Sequence, residues 1–476
     1  MDSLAPFQEA TPEAKYIEEL NFSKPENRKL LLVQRRNNGQ RFYPQNGANV
    51  SFSSGPTGNT VINLEIDHEQ AMDLSSMMLH FVYSYSSNKL ETSKNQVQPI
   101  LSTDWAGLFS KVSVKVGGVE FVQATDSLPG LVYALQKKWA WSRQYSSTQL
   151  DAMAGCGTEE SLKDIQEKGK QDGYEVSFPL IWLPVIGSIR QYFPTKLMGK
   201  IHIQFYLNDA YTAHRAVGPE KNSMKASLPE KLEFTLSHLY ATCDTVELPG
   251  SYYTLLESLL RSGSGVELPV VNYHLHPFTL PANQESVTAN FTSAHREIDA
   301  LYFIFRNLQP SSTGKYSYYA NWRPISFKKD GSTRFYVMVN GRKVPSQWAL
   351  TSLSQVAVEG MTSWNDLNNN LSTTAIDREA LTTALSNVSL HPIEDQGSFC
   401  LGVSLRKYVN GVSDLIDIMD NGENTMESGN PTITFQLENI GAYDESNDIP
   451  QNQQLMMIVK SVERIMYKEG QMTRIQ

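Results

Sequence analysis

In TRFYVMVNGRKVP, residues 333 to 345, apolar and polar side chains alternate up to Asn340-Gly341, and the pattern resumes after it. Period-two alternation around an Asn-Gly pair predicts two strands joined by a tight type I′ turn, because both turn residues tolerate positive φ. KVSVKVGGVEFV, residues 111 to 122, repeats the device with Gly117 and Gly118 at the turn. IHIQFYL (201–207) places Ile201, Ile203, Phe205 and Leu207 on one face, and TITFQL (432–437) does the same with Ile433, Phe435 and Leu437. A strand buried on one side needs that pattern. Helical spacing is rarer. LPGLVYALQKKWAW (128–141) and, more weakly, WALTSLSQVAVEGM (348–361) predict helices, and SYYTLLESLLRSGSG (251–265) predicts one capped near Gly263.

The two hairpins belong to a longer correspondence. MLHFVYSY (78–85) precedes the first as ALYFIFRN (300–307) precedes the second, with Leu79 set against Leu301. Gly118 falls against Gly341. NTVINLEI (59–66) matches ESVTANFT (285–292), YEVSFPL (174–180) faces GSFCLGVSL (397–405), KIHIQFYL (200–207) faces TITFQL, and EFTLSHLY (233–240) faces LMMIVKSV (455–462). Residue identity between the halves is negligible, but the order of strands, hairpin and spacers repeats at a nearly constant offset. The chain is read as a duplicated domain. Spacers of about 50 residues follow each hairpin, at 124–173 and 346–396.

The fold class expected is all-β: two tandem eight-stranded jelly rolls with short helices in the inter-strand loops. The division expected is an N-terminal arm at 1–40, a first roll at 41–248, a connector at 249–268 and a second roll at 269–476, with Pro269 opening the second half. Jelly rolls serve viral capsids, lectins and cupins.

Composition changes this picture in a few places. The net charge of −9 argues against a protein that coats nucleic acid. Lys24, Arg28, Lys29, Arg35, Arg36 and Arg41 nevertheless cluster with only Glu26 among them. That strip reads either as a solvated arm or as a surface for lipid headgroups or nucleic-acid phosphates. No apolar run reaches membrane-spanning length, and the acidic N-terminus does not read as a signal peptide. Cys156, Cys243 and Cys400 are widely spaced, which argues against a disulfide framework and for folding in a reducing compartment. The sequons at Asn21, Asn49, Asn290, Asn370 and Asn387 read as chance matches.

Candidate chemistry is sparse. His274 and His276 in NYHLHPF share a strand face, as a cupin's metal pair would, but the next Glu is Glu285, beyond Pro277 and Pro281. Ordinary polar strand positions are the simpler reading. His295 with Glu297 and Asp299, and Asp67-His68-Glu69, read as charged turns. Nucleophile elbows, phosphate loops and zinc-protease motifs are missing from the sequence. Tyr316, Tyr318, Tyr319 and Trp322 form an aromatic cluster that would stack sugar rings, sit in an interface or pack a loop. The expectation is no enzyme, with no catalytic, cofactor-binding or metal residues and no cofactor or specific small molecule.

The pattern resembles the double jelly-roll major capsid proteins of the adenovirus and tailless-phage lineage, most of all the small members from Polinton-like, adintovirus-like and virophage-like viruses. The resemblance spans residue 40 to the end. It is carried by VINLEI, SMMLHFVYSY, FSKVSVKVGGVEFV, PLIWLPVIGSIRQYFPTKLMGKIHIQFYLND, YVMVNGRKVP and the closing strand QLMMIVKSVERIMYKEG. It implies a homotrimer with a pseudo-hexagonal outline, because six similar rolls surround the axis, and a lattice of such trimers in an icosahedral virion. It implies penton and minor capsid partners, a low outer tower, and an N-terminal basic arm facing an inner membrane or genome. The alternative is a tandem carbohydrate-binding, lectin-like protein of the same fold.

Overall fold

The computed structural model describes residues 35–55, 60–87, 98–101, 105–122, 173–180, 183, 185–189, 192–217, 231–261, 266–280, 286–292, 297–307, 332, 334–344, 401–405, 423–424, 432–439, 453–468 and 471–475. The predicted helices at 128–141 and 348–361, the aromatic cluster at 316–322, His295, Cys156 and Cys400 lie outside them.

The first half forms β1 (Arg35–Phe42), β2 (Val61–Ile66), β3 (Ala71–Ser87), β4 (Phe109–Val116), β5 (Val119–Val122), β6 (Tyr174–Pro179), β7 (Ile201–Leu207) and β8 (Leu232–Glu247). One sheet runs β1-β8-β3-β6 and the other β2-β7-β4-β5, all antiparallel. The second half forms β9 (Val266–Leu280), β10 (Val287–Thr292), β11 (Glu297–Asn307), β12 (Arg334–Val339), β13 (Arg342–Val344), β14 (Leu401–Ser404), β15 (Thr432–Glu438) and β16 (Gln453–Lys468). Its sheets run β9-β16-β11-β14 and β10-β15-β12-β13. In strand rank both halves read first-eighth-third-sixth and second-seventh-fourth-fifth. This is the jelly-roll plan carried out twice. All six segment pairs matched in the sequence occupy equal ranks. A short closing strand, β17 (Gln471–Ile475), folds back on β16.

The alternation read from the sequence sets the sandwich core. Ile201, Ile203, Phe205 and Leu207 are buried, as are Ile433, Phe435 and Leu437. Phe303, Phe335 and Phe435 pack together in the second roll, with ring centroids 4.7 Å and 5.4 Å from Phe435. In the first roll Trp105 packs edge-on against Phe81 and Tyr83 and stacks on Tyr174. Both hairpin turns have the positive φ that was expected: 53° and 88° at Gly117-Gly118, and 50° and 78° at Asn340-Gly341.

The rolls are joined by α1 (Gly250–Arg261), which buries Tyr252, Leu256, Leu259 and Leu260. Strand β9 starts before Pro269 and carries Pro269 and Pro277 inside it, both at the outer edge of the sheet. The amide of Val271, which has the same parity, points off the sheet to Ser188 Oγ at 2.9 Å. The two prolines therefore sit where the ladder asks for no donor. Among the described residues no helix is long and apolar enough to cross a membrane.

Candidate functional site

The most highly organised polar cluster lies where the second roll meets the first. Strands β9 and β16 are paired in register, with Val270 opposite Glu463 and Asn272 opposite Ser461. The β16–β17 hairpin then brings Arg474 back beside Glu463. The Glu463 side chain is 2% exposed, and Arg474 grips it with two bonds: Nε to Oε2 at 2.7 Å and Nη2 to Oε1 at 2.7 Å. His274 Nε2 donates to Oε1 at 2.8 Å, because a carboxylate can only accept. Asn272 Nδ2 lies 3.3 Å from both oxygens.

The same donors reach into the first roll. Asn272 Nδ2 donates to Phe121 O at 2.8 Å, and Arg474 Nη1 donates to Glu120 O at 3.2 Å. Both acceptors are main-chain carbonyls of β5, an outer strand of its sheet. Val266, Leu268, Val270 and Ile465 are buried in one continuous cluster with the first roll's core, and Met472 packs against it. Met472 also covers the β4–β5 turn: a Cβ placed on Gly117 would lie 3.6 Å from its sulfur. The seam thus joins the hairpin edge of the first roll to the outer strands of the second.

Burial pushes the Glu463 carboxyl up, but hydrogen bonds from His274 and Arg474 outweigh it, and its pKa lies below the ordinary carboxylate value. Taking these charges out of water is costly unless nearly every donor and acceptor is met. Here two roles are combined: the carboxylate gathers the donors, and two of those donors fix the edge of β5.

The equivalent surface of the first roll is open. Strand β1 is exposed at all but two of its residues, and only Phe42 is buried. Arg36 bonds Asp244 at 2.7 Å and Asp73 at 3.1 Å, but its side chain is 45% exposed. Hydrogen bonding to Asp244 raises the Arg36 pKa further. Arg41 lies 4.9 Å over the Tyr240 ring, and Tyr43 beside it is 43% exposed. At the other end, Gly341, Arg342 and Lys343 are exposed, and among the described residues nothing comes within 4 Å of a Cβ built at Gly341.

The histidine pair considered for a metal is divided in its contacts. His274 serves Glu463, and His276 packs edge-on to Phe291. Of the basic strip, Arg35, Arg36 and Arg41 lie on β1, and Lys24, Arg28 and Lys29 lie outside the described residues. Cys243 is buried as a free thiol, and burial pushes its pKa up to about 12. His214, also buried, donates from Nδ1 to Ala210 O at 2.7 Å and receives the Tyr83 hydroxyl at Nε2 at 2.5 Å. Burial pushes its pKa down to about 4, which suits a neutral, structural ring. Sequence reasoning missed Asn272, Glu463 and Arg474. The available signal was Glu463 itself, a carboxylate inside the closing apolar strand.

No protein-family model and no curated protein matches the chain. Two solved structures match nearly all of it. The Faustovirus major capsid protein aligns with a TM-score of 0.53 and 10% identity, covering 91% of this chain and 90% of that one. The mavirus major capsid protein aligns with a TM-score of 0.50 and 8% identity, covering 98% and 94%. The whole chain, both rolls together, shares the fold of these double jelly-roll proteins.

Proposed function

We propose that the chain is a viral major capsid protein, a structural protein that self-associates into an icosahedral shell. The observation that carries this reading is the pair of rolls with one strand order, fused on one chain and packed unlike surface to unlike surface. The likeness of the full chain to two major capsid folds supports it. In this reading three copies form a capsomer with six rolls around its axis, capsomers tile the shell, and penton and minor capsid proteins complete it. The protein resides in the virion, after folding in a reducing compartment that keeps Cys243 a thiol. It has no enzymatic role. Residues 1–40 act as an arm, 41–248 and 269–476 as the rolls, and 249–268 as the connector. Lys24, Arg28 and Lys29 of the arm meet an inner membrane or the genome.

Solution mass tests this reading. The chain is 53.5 kDa, so the particle expected is about 160 kDa, with a hexagonal outline in negative stain. A monomer at micromolar concentration overturns it. Deleting residues 1–30 is expected to leave trimers intact and lower shell yield; unchanged yield removes the arm's role.

A further inference from the structure

We propose that β1 and the adjoining outer face of β8 in one copy seat on the β12–β13 hairpin of a second copy. This repeats between chains the contact that joins the two rolls within one chain, and it rests on the trimer reading above.

The argument starts from the seam. It is heterologous: the β4–β5 hairpin edge of the first roll meets the outer strands β9, β16 and β17 of the second. Because both rolls have the same strand order, each surface type occurs twice per chain, and the seam uses one of each. What is left is the hairpin edge of the second roll and the outer strands of the first. Unlike surfaces that recur in this way associate head to tail and close into a ring when the rotation allows.

Both leftover surfaces look like seam halves without a partner. The equivalent of β1 is β9, whose Val266, Leu268, Val270, Asn272 and His274 are buried. The turn at Gly117-Gly118 is covered by Met472, whereas its counterpart at Asn340-Gly341 is open among the described residues. In the seam, Arg474 and Asn272 bond the carbonyls of β5. On β1, Arg35, Arg36 and Asn37 stand ready to do the same for β13.

Charge matches as well. Asp73 and Asp244 share the single guanidinium of Arg36, so that cluster carries a net negative charge. Arg342 and Lys343 on the incoming hairpin edge supply the missing cation. The exposed ring of Tyr43 provides the apolar contact that Met472 gives in the seam.

The test uses the full chain with Gln40→Cys and Lys343→Cys together, against each single variant. After mild oxidation the double variant is expected to give covalent dimers and trimers on a non-reducing gel, and the single variants are not. In native trimers each new thiol is expected to react with a maleimide about tenfold more slowly than in urea, through loss of access. A particle of trimer mass with no covalent ladder and freely reacting thiols overturns this contact and leaves the trimer reading standing. A monomeric mass overturns both. A faster-migrating monomer on oxidation means the two strands meet within one chain and also overturns it. So does protection of Gln40→Cys that vanishes when residues 1–34 are deleted, because the chain's own N-terminal segment is then the occupant.

Discussion

Strands β1 and β9 hold the same rank in the same topology, yet they meet opposite fates. In β9 the alternate positions from Val266 to His274 are buried, and two of them help to hold the neighbouring roll. In β1 only Phe42 is buried. Their partner strands differ in the same sense. β8 alternates buried and part-exposed positions along most of its length, whereas β16 is buried without a break from Leu455 to Glu463. The difference is not in the roll itself, because strand order and core packing agree. It reflects what lies against each sheet. A strand whose second face is also covered loses its period-two signature and can carry a buried charge only when a full set of donors comes with it.

Removing the Glu463 carboxylate breaks this comparison most severely. Glu463→Ala leaves Arg474 and His274 buried without their acceptor, a change that costs about 3–5 kcal/mol. It is expected to appear as a lowered denaturation midpoint in urea. Acid gives a reversible version. The folded pKa of Glu463 lies below its ordinary value of 4.5, so its contribution is complete above that value and is lost as pH falls through the folded pKa. Unfolding free energy is expected to drop between pH 5 and pH 3, and Glu463→Gln is expected to flatten that drop.

The two turns give the next test. Alanine at either left-handed glycine costs about 1–2 kcal/mol. Gly117→Ala is expected to cost more than Gly341→Ala, because its Cβ meets Met198 O at 3.3 Å and Met472 beyond it. Equal effects in urea melts would remove the distinction between covered and open turns. The smallest effect belongs to the open cluster. Asp244→Ala at a half-exposed ion pair is expected to change chain stability by less than about 1 kcal/mol. Its larger consequence is expected in trimer yield, which gel filtration reads.

Much of this was legible in the residues. Asn340-Gly341 and Gly117-Gly118 announced equal hairpins because only a few residue types accept that backbone. Ile201 to Leu207 announced a half-buried strand because one face must be apolar. Those signals are local, and the order of strands followed from repeating them. The seam was not legible. Asn272, Glu463 and Arg474 converge only because β9 and β16 are paired and the chain doubles back at β17. Nothing in the spacing of NYHLHPF reveals that His274 looks toward a residue 189 positions away. Arg36 likewise reads as part of a basic strip until the fold places Asp73 and Asp244 beside it. Pro269 marked a boundary by its chemistry, but an edge strand accommodates a proline whose nitrogen points outward.

The α1 link between the rolls changes the kinetics of any closed six-roll particle. Because its two rolls are tethered, each chain makes one contact as an intramolecular event, at an effective concentration far above that of free subunits. Half of the contacts are then in place before any two molecules collide. Closing the ring becomes a three-body problem in place of a six-body one. The concentration at which rings first appear falls accordingly, and incomplete rings can be only one or two chains in size.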